Sequence, residues 1–307
     1  MPKMPVITSR QNPTVRRFRD AREAGGEELL LDGPHLVAEA LLAHLPIEVV
    51  AVHSAAANGE VAALARRAAE AGAQVLDVSP SVLEAMSPVR RPSGIVAIAR
   101  RRESTLDQAL GGAPQMVLML EQVQDPGNVG AIIRAADACN ATGVVVGPGS
   151  ADPYGWKALR GSMGSAFRLP VASRQALPGA IERARQLGLQ LLAAVPRDGT
   201  SLPSCDLGGP VAIVLGGEGA GVSAELLELM DGRLTIPMRP TVDSLNVATA
   251  AALIAYEAER QRSAQNEAER QRSAKNEAER QRSAKNEAER QPSAKNASER
   301  QRGGGLS

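Results

Sequence analysis

From Met116 onward the chain alternates short runs that are apolar along their whole length with longer stretches of helical periodicity, and this constrains the fold more than any other feature. Runs such as Met116-Val-Leu-Met-Leu and Val211-Ala-Ile-Val-Leu have no polar face, so a strand made from them is covered on both sides, as in a parallel sheet flanked by helices. Strands are expected at 116–121, 143–146, 189–194, 211–215 and 233–236, and helices at 128–139, 176–187, 223–230 and 244–260. Shorter β-rich runs precede them at Leu29–Leu31, Val49–Val52, Val75–Val78 and Ile95–Ile98, separated by the alanine-rich stretches 34–44 and 59–71, which read as a smaller α/β layer. Arg100-Arg-Arg-Glu-Ser-Thr and Gly111-Gly-Ala-Pro read as a linker, giving an N-terminal domain over 1–108 and a second over 114–260.

After Tyr256 the sequence repeats every ten residues, from Glu257-Ala-Glu-Arg-Gln-Arg-Ser-Ala-Gln-Asn to a copy carrying Pro292 and a degraded copy ending in Gly303-Gly-Gly. No apolar residue larger than alanine occurs there before Leu306, and ten is commensurate with neither 3.5 nor 3.6, so 261–307 is expected to be a disordered tail with fluctuating helix rather than a coiled coil. The chain lacks a run of roughly 18 apolar residues, and Met-Pro-Lys-Met-Pro has no signal core, which points to the cytoplasm and to no membrane partner. Cys139 and Cys205 are its only cysteines and lack metal-ligand spacing; His35, His44 and His53 all fall in the first sixth. Any chemistry in the second domain is therefore expected to proceed without imidazole, and neither a disulfide nor a zinc site is indicated.

The net charge of +1 is unevenly spread, because residues 1–22 carry six Lys and Arg against one acid. Arg10, Arg16 and Arg17 can track phosphates; equally, Val15, Phe18 and Ala21 can face inward from an amphipathic helix. Further along, Lys157, Arg160 and Arg168 are candidates for phosphate contacts, while Trp156 and Tyr154 can stack on an unpaired base or pack in the core.

Three segments carry candidate chemistry. Asp125-Pro-Gly-Asn-Val-Gly-Ala-Ile-Ile-Arg-Ala-Ala-Asp joins turn residues to a helix, where Asn128 can cap and Arg134 can pair with Asp137. Ala212-Ile-Val-Leu-Gly-Gly-Glu-Gly-Ala-Gly-Val brings a glycine turn off a strand, and Gly219-Ala-Gly-Val-Ser-Ala matches the G-x-G-x-x-A fingerprint of dinucleotide enzymes. That rival is disfavoured because the turn comes late and the next strand runs into Pro-Met-Arg rather than an acid. The third, Ile236-Pro-Met-Arg-Pro-Thr-Val-Asp-Ser-Leu-Asn-Val-Ala-Thr-Ala-Ala, stops a strand at Pro237 and Pro240 and offers Asp243, Ser244 and Asn246 as helix caps.

In this order the three segments resemble the signature motifs of the SpoU (TrmH-like) branch of the SPOUT RNA 2′-O-ribose methyltransferases; less specifically, residues 9–100 resemble the ribosomal-protein-like substrate-binding domain that precedes them. The resemblance implies a parallel α/β domain with a trefoil knot, a homodimer, and methyl transfer from S-adenosyl-methionine to a ribose 2′-hydroxyl, in ribosomal rather than transfer RNA. It assigns Arg134, Asn128, Glu218, Ser244 and Asn246 to catalysis, with Gly216, Gly217, Ile236, Met238 and Leu245 around the cofactor. Because guanidinium stays protonated, Arg134 is better suited to stabilise an incipient alkoxide than to act as a base. Pro240, Ala248 and Thr249 depart from the family pattern. An RNA-binding protein that kept the fold and lost catalysis is the alternative of a different class.

Overall fold

A computed structural model describes residues 6–22, 26–53, 59–113 and 115–290 of the chain. Its first helix, α1 (Pro13–Asp20), starts where the Asn12 side chain accepts the amide of Thr14 and Pro13 occupies the first turn. Then follow β1 (Glu28–Asp32), α2 (Pro34–Leu42), β2 (Ile47–Val52), α3 (Gly59–Glu70), β3 (Gln74–Asp77), α4 (Pro80–Met86) and β4 (Ile95–Arg100). The strands form a four-stranded sheet in the order β1-β4-β2-β3, with β4 antiparallel to both neighbours and β2 parallel to β3. Val15 and Phe18 of α1 are fully buried in a cluster with Leu30, Val82 and Met86, so the basic arm is a packed amphipathic helix with its arginines on the outer side.

The second half contains α5 (Leu106–Leu110), β5 (Met116–Glu121), α6 (Pro126–Ala138), β6 (Gly143–Val146), α7 (Trp156–Ser162), β7 (Val171–Ala172), α8 (Leu177–Gln186), β8 (Gln190–Ala194), β9 (Thr200–Ser201), β10 (Val211–Gly216), α9 (Ala224–Glu228), β11 (Gly232–Thr235) and α10 (Val247–Arg290). Its seven strands run parallel in the order β7-β6-β5-β10-β8-β11-β9. Strand β5 shows why such runs are apolar throughout. Leu118 and Leu120 join one core cluster and Val117 and Met119 the other, all fully buried.

Both sheets belong to one compact unit, Met1–Glu259, and residues from Arg260 form a second. The expected linker carries α5, whose start is a capping box in which Thr105 and Gln108 satisfy each other's backbone amides; Pro114 lies outside the described residues. Helix α10 begins at Val247, three residues later than expected, and continues to Arg290. Residues 261–290 of the repeat, where disorder with fluctuating helix is expected from the sequence, lie in this helix. Alanine, Glu, Gln, Arg and Lys are strong helix formers, and i,i+4 contacts such as Gln271 Nε2 to Glu267 Oε1 at 2.9 Å add support without a core. The repeat copies after Arg290 lie outside the described residues. No described helix is long and apolar enough to cross a membrane.

Candidate active site

In open parallel sheets ligands bind beyond the C-terminal strand ends, and there β10 opens into the loop Gly216–Val222. Glycine is required at its start. A Cβ on Gly216 would lie 2.0 Å from the carbonyl carbon of Gly221, and one on Gly217 would lie 2.0 Å from the carbonyl oxygen of Gln122. The loop folds back on itself through the Gly221 amide, which donates to the Gly217 carbonyl at 3.1 Å. With the segment after β11 it encloses a cleft of about 520 Å³, lined by Leu215, Leu227, Ile236, Met238, Leu245 and Ala250, by the glycines, and by Ser244 and Asn246. Glu218 is the only ionisable side chain among the lining residues.

At the rim a chain of side-chain amides joins the three motifs. Asn246 caps α10, its Oδ1 accepting the amides of Ala248 at 2.9 Å and Thr249 at 3.2 Å. Its Nδ2 therefore points away from the helix and donates to Asn128 Oδ1 at 3.0 Å. Asn128 in turn donates its Nδ2 to the Glu218 carboxylate. The Asn128 amide itself is held by Asp125, the cap of α6, at 2.8 Å, so Asp125 rather than Asn128 is the capping side chain. Helix α10 thus sets the direction of every link in the chain Asn246–Asn128–Glu218. Ser244 is exposed on the cleft, in a segment tethered by Arg197, which lies 3.6 Å from Asp243 and donates to the Pro240 carbonyl at 3.5 Å.

Arg134 is not brought to this cleft within one chain. It is exposed on α6, and its expected partner Asp137 pairs instead with Arg168 at 2.8 Å. Arg168 also pairs with Glu39 and is therefore committed within the protein. Arg17 is likewise held, by Glu28 at 2.6 Å and by Glu48, and its pKa is raised, chiefly by the hydrogen bond to Glu28; that of Glu48 is lowered by the hydrogen bonds from Arg100, at 2.8 Å, and from Arg17. Arg10 donates to the Ser81 carbonyl at 3.0 Å, Arg16 lies 3.8 Å from Asp20, and both remain exposed.

On α7, Lys157 and Arg160 are exposed, and the Lys157 ammonium stands 5.6 Å from the Trp156 ring, which packs partly against the α1–α4 cluster. Tyr154 is unsuited to stacking on a base. It is buried under Arg101, whose guanidinium lies 4.6 Å from the ring, and burial pushes its hydroxyl up to about 12. The described residues contain no group of three or more His, Cys, Asp or Glu that could hold a metal ion.

Residues 115–256 match the SpoU rRNA Methylase family, and residues 30–105 match the family described as RNA 2′-O ribose methyltransferase substrate binding. An uncharacterized tRNA/rRNA methyltransferase of Synechocystis sp. is 37% identical over 84% of this chain and 94% of its own length. The 23S rRNA (guanosine(2553)-2′-O)-methyltransferase of Bacillus subtilis is 38% identical over 40% of this chain and 50% of its own. Among solved structures, the SpoU methyltransferase AviRb from Streptomyces viridochromogenes in complex with AdoMet superposes with a TM-score of 0.75 at 26% identity, covering 82% of this chain and 98% of that one. With matched segments for both halves and a relative aligned over nearly its whole length, the chain belongs to the SpoU rRNA methylase family.

Proposed function

We propose that this chain transfers a methyl group from S-adenosyl-methionine to a ribose 2′-hydroxyl of ribosomal RNA. The observation that carries this reading is the amide chain Asn246–Asn128–Glu218 standing at the rim of a glycine-walled cleft. The cleft suits the cofactor chemically. Leu215, Leu227, Ile236 and Ala250 offer an apolar surface for an adenosyl group, the glycines admit close backbone approach, and the only lining charge is a carboxylate, favourable to a sulfonium and unfavourable to a pyrophosphate. When bound, the cofactor supplies an electrophilic methyl group. Names of relatives such as the Bacillus subtilis enzyme favour ribosomal RNA as the acceptor.

The residues then divide the remaining work. Asn128, oriented by its neighbours, and Ser244 present a donor and a hydroxyl with which to position the ribose. Negative charge grows on the attacking oxygen as its proton leaves, and a guanidinium aimed at it stabilises that charge. Arg134 fills this role from a second subunit in a homodimer. In support, Arg134 is exposed and without a partner among the described residues, and α10 exposes Leu253 and Tyr256, 42% and 64%, one turn apart. The reading includes a trefoil knot between β10 and α10; in support, the segment after β11 returns far enough for Asn246 to meet Asn128. Lys157, Arg160, Arg10 and Arg16 supply exposed cations for the RNA backbone.

Calorimetry and single-turnover methyl transfer test this together. Wild type should bind S-adenosyl-methionine, and Arg134→Ala should keep that affinity within about threefold while losing at least a hundredfold in transfer rate, as expected for removal of a transition-state donor. Equal loss of both would assign Arg134 to binding or folding.

A further inference from the structure

Glu121 ends β5 as a buried carboxylate, 8% exposed, and no ion pair joins it among the described residues. Burying an ionised carboxylate is costly unless its oxygens are hydrogen-bonded, so its contact at this site is informative. Its Oε2 accepts the backbone amide of Ser223, 102 residues away, at 2.9 Å. Ser223 is the cap of α9 and the first residue beyond the glycine loop. At the other end of that loop, Gly216 pairs in register with Glu121 itself, because β10 lies parallel to β5. Next along, Gln122 takes a left-handed φ of 52° and turns its carbonyl against Gly217. Both ends of the loop are therefore fastened at one residue, which is not among those lining the cleft.

We propose that Glu121 is a positioning residue for the reaction: its carboxylate clamps the exit of the glycine loop to the strand that holds its start. This fixes the loop's shape for the cofactor and aims Glu218 at Asn128. What the clamp requires is an acceptor at that distance, not a negative charge. The inference rests on the methyltransferase reading, since it assigns the loop to the cofactor.

Calorimetric titration with S-adenosyl-methionine, alongside binding of a ribosomal RNA fragment, tests it. Glu121→Gln keeps an acceptor and should bind the cofactor within about threefold of wild type, whereas Glu121→Leu should bind at least tenfold more weakly with RNA affinity unchanged. If Glu121→Leu does not fold, Ser223→Pro, which removes the donor, is compared with Ser223→Ala, which leaves it; only the former should lose cofactor affinity. Cofactor affinity equal to wild type in folded Glu121→Leu or Ser223→Pro overturns the clamp, as does equal loss in Glu121→Gln and Glu121→Leu. Failure of the wild type to bind S-adenosyl-methionine would instead sink the functional reading.

Discussion

Replacing Asn246 by Asp changes one group in the hydrogen-bonded chain Asn246–Asn128–Glu218, proposed above to serve the reaction, while leaving size and capping intact. Asp caps a helix as well as Asn, and its charge is favourable at the N-terminus of α10, so stability should change by less than about 1 kcal/mol. The amide that donates to Asn128 Oδ1 at 3.0 Å becomes an acceptor facing an acceptor. Asn128 can relieve this only by turning over, which then presents its oxygen to Glu218 in place of the present donor. One link is broken either way. Such a mismatch costs about 1–3 kcal/mol, and about 2 kcal/mol removes roughly thirtyfold from the competent population and hence from kcat. Asn246→Ser keeps a cap but merely leaves the link to water, a loss of about 1 kcal/mol or roughly fivefold. Single-turnover transfer of tritiated methyl groups at saturating cofactor, with melting curves for each variant, should give the order Asn, Ser, Asp. An Asp variant as active as the Ser variant or better would show that the polarity of the chain is irrelevant.

Two further perturbations address other parts of the account. Gly217→Ala places a Cβ 2.0 Å from the Gln122 carbonyl oxygen, and the overpacking, about 1–3 kcal/mol, should weaken cofactor binding by roughly tenfold in calorimetry; unchanged affinity would mean the loop is not rigid. Asp32 is pushed above the usual carboxylate range mainly by burial, against the hydrogen bond from Ser87 and the charges of Arg160 and Arg22. The folded state therefore holds this proton at pH values where the unfolded chain has lost it, and stability falls as pH rises from the ordinary Asp value through the raised one. Asp32→Asn should melt higher than wild type at pH 7, with the gap closing as pH falls toward 4; a gap independent of pH would contradict this.

How much of this was readable beforehand depended on how far apart the interacting residues lie in the chain. Strands β5, β6 and β10 were legible because wholly apolar runs have few alternatives, and the expected 116–121, 143–146 and 211–215 agree closely with Met116–Glu121, Gly143–Val146 and Val211–Gly216. Helix α5 lies inside the stretch that reads as a linker, although Thr105 and Gln108, three residues apart, carry the capping-box signal. In the tail the lack of a core and the strong helix propensity over 261–290 point in different directions, and the helix there runs to Arg290. Arg168 reads as a free cation in the sequence because its partners Asp137 and Glu39 are 31 and 129 residues away, whereas Arg17 is held by Glu28, 11 residues on, as well as by Glu48. The same separation concealed Glu121, which lies in none of the three motifs yet meets Ser223. The juxtaposition of Asn128, Glu218 and Asn246 followed from no spacing, only from the resemblance.

The most direct measurement is nucleoside analysis of ribosomal RNA after incubation with the purified protein and S-adenosyl-methionine labelled in the methyl group. The account predicts label in a single 2′-O-methylated nucleoside, at one position when the RNA is mapped, and none with Arg134→Ala. Label on a base, or no transfer to any ribosomal RNA by a protein that binds the cofactor, would contradict it.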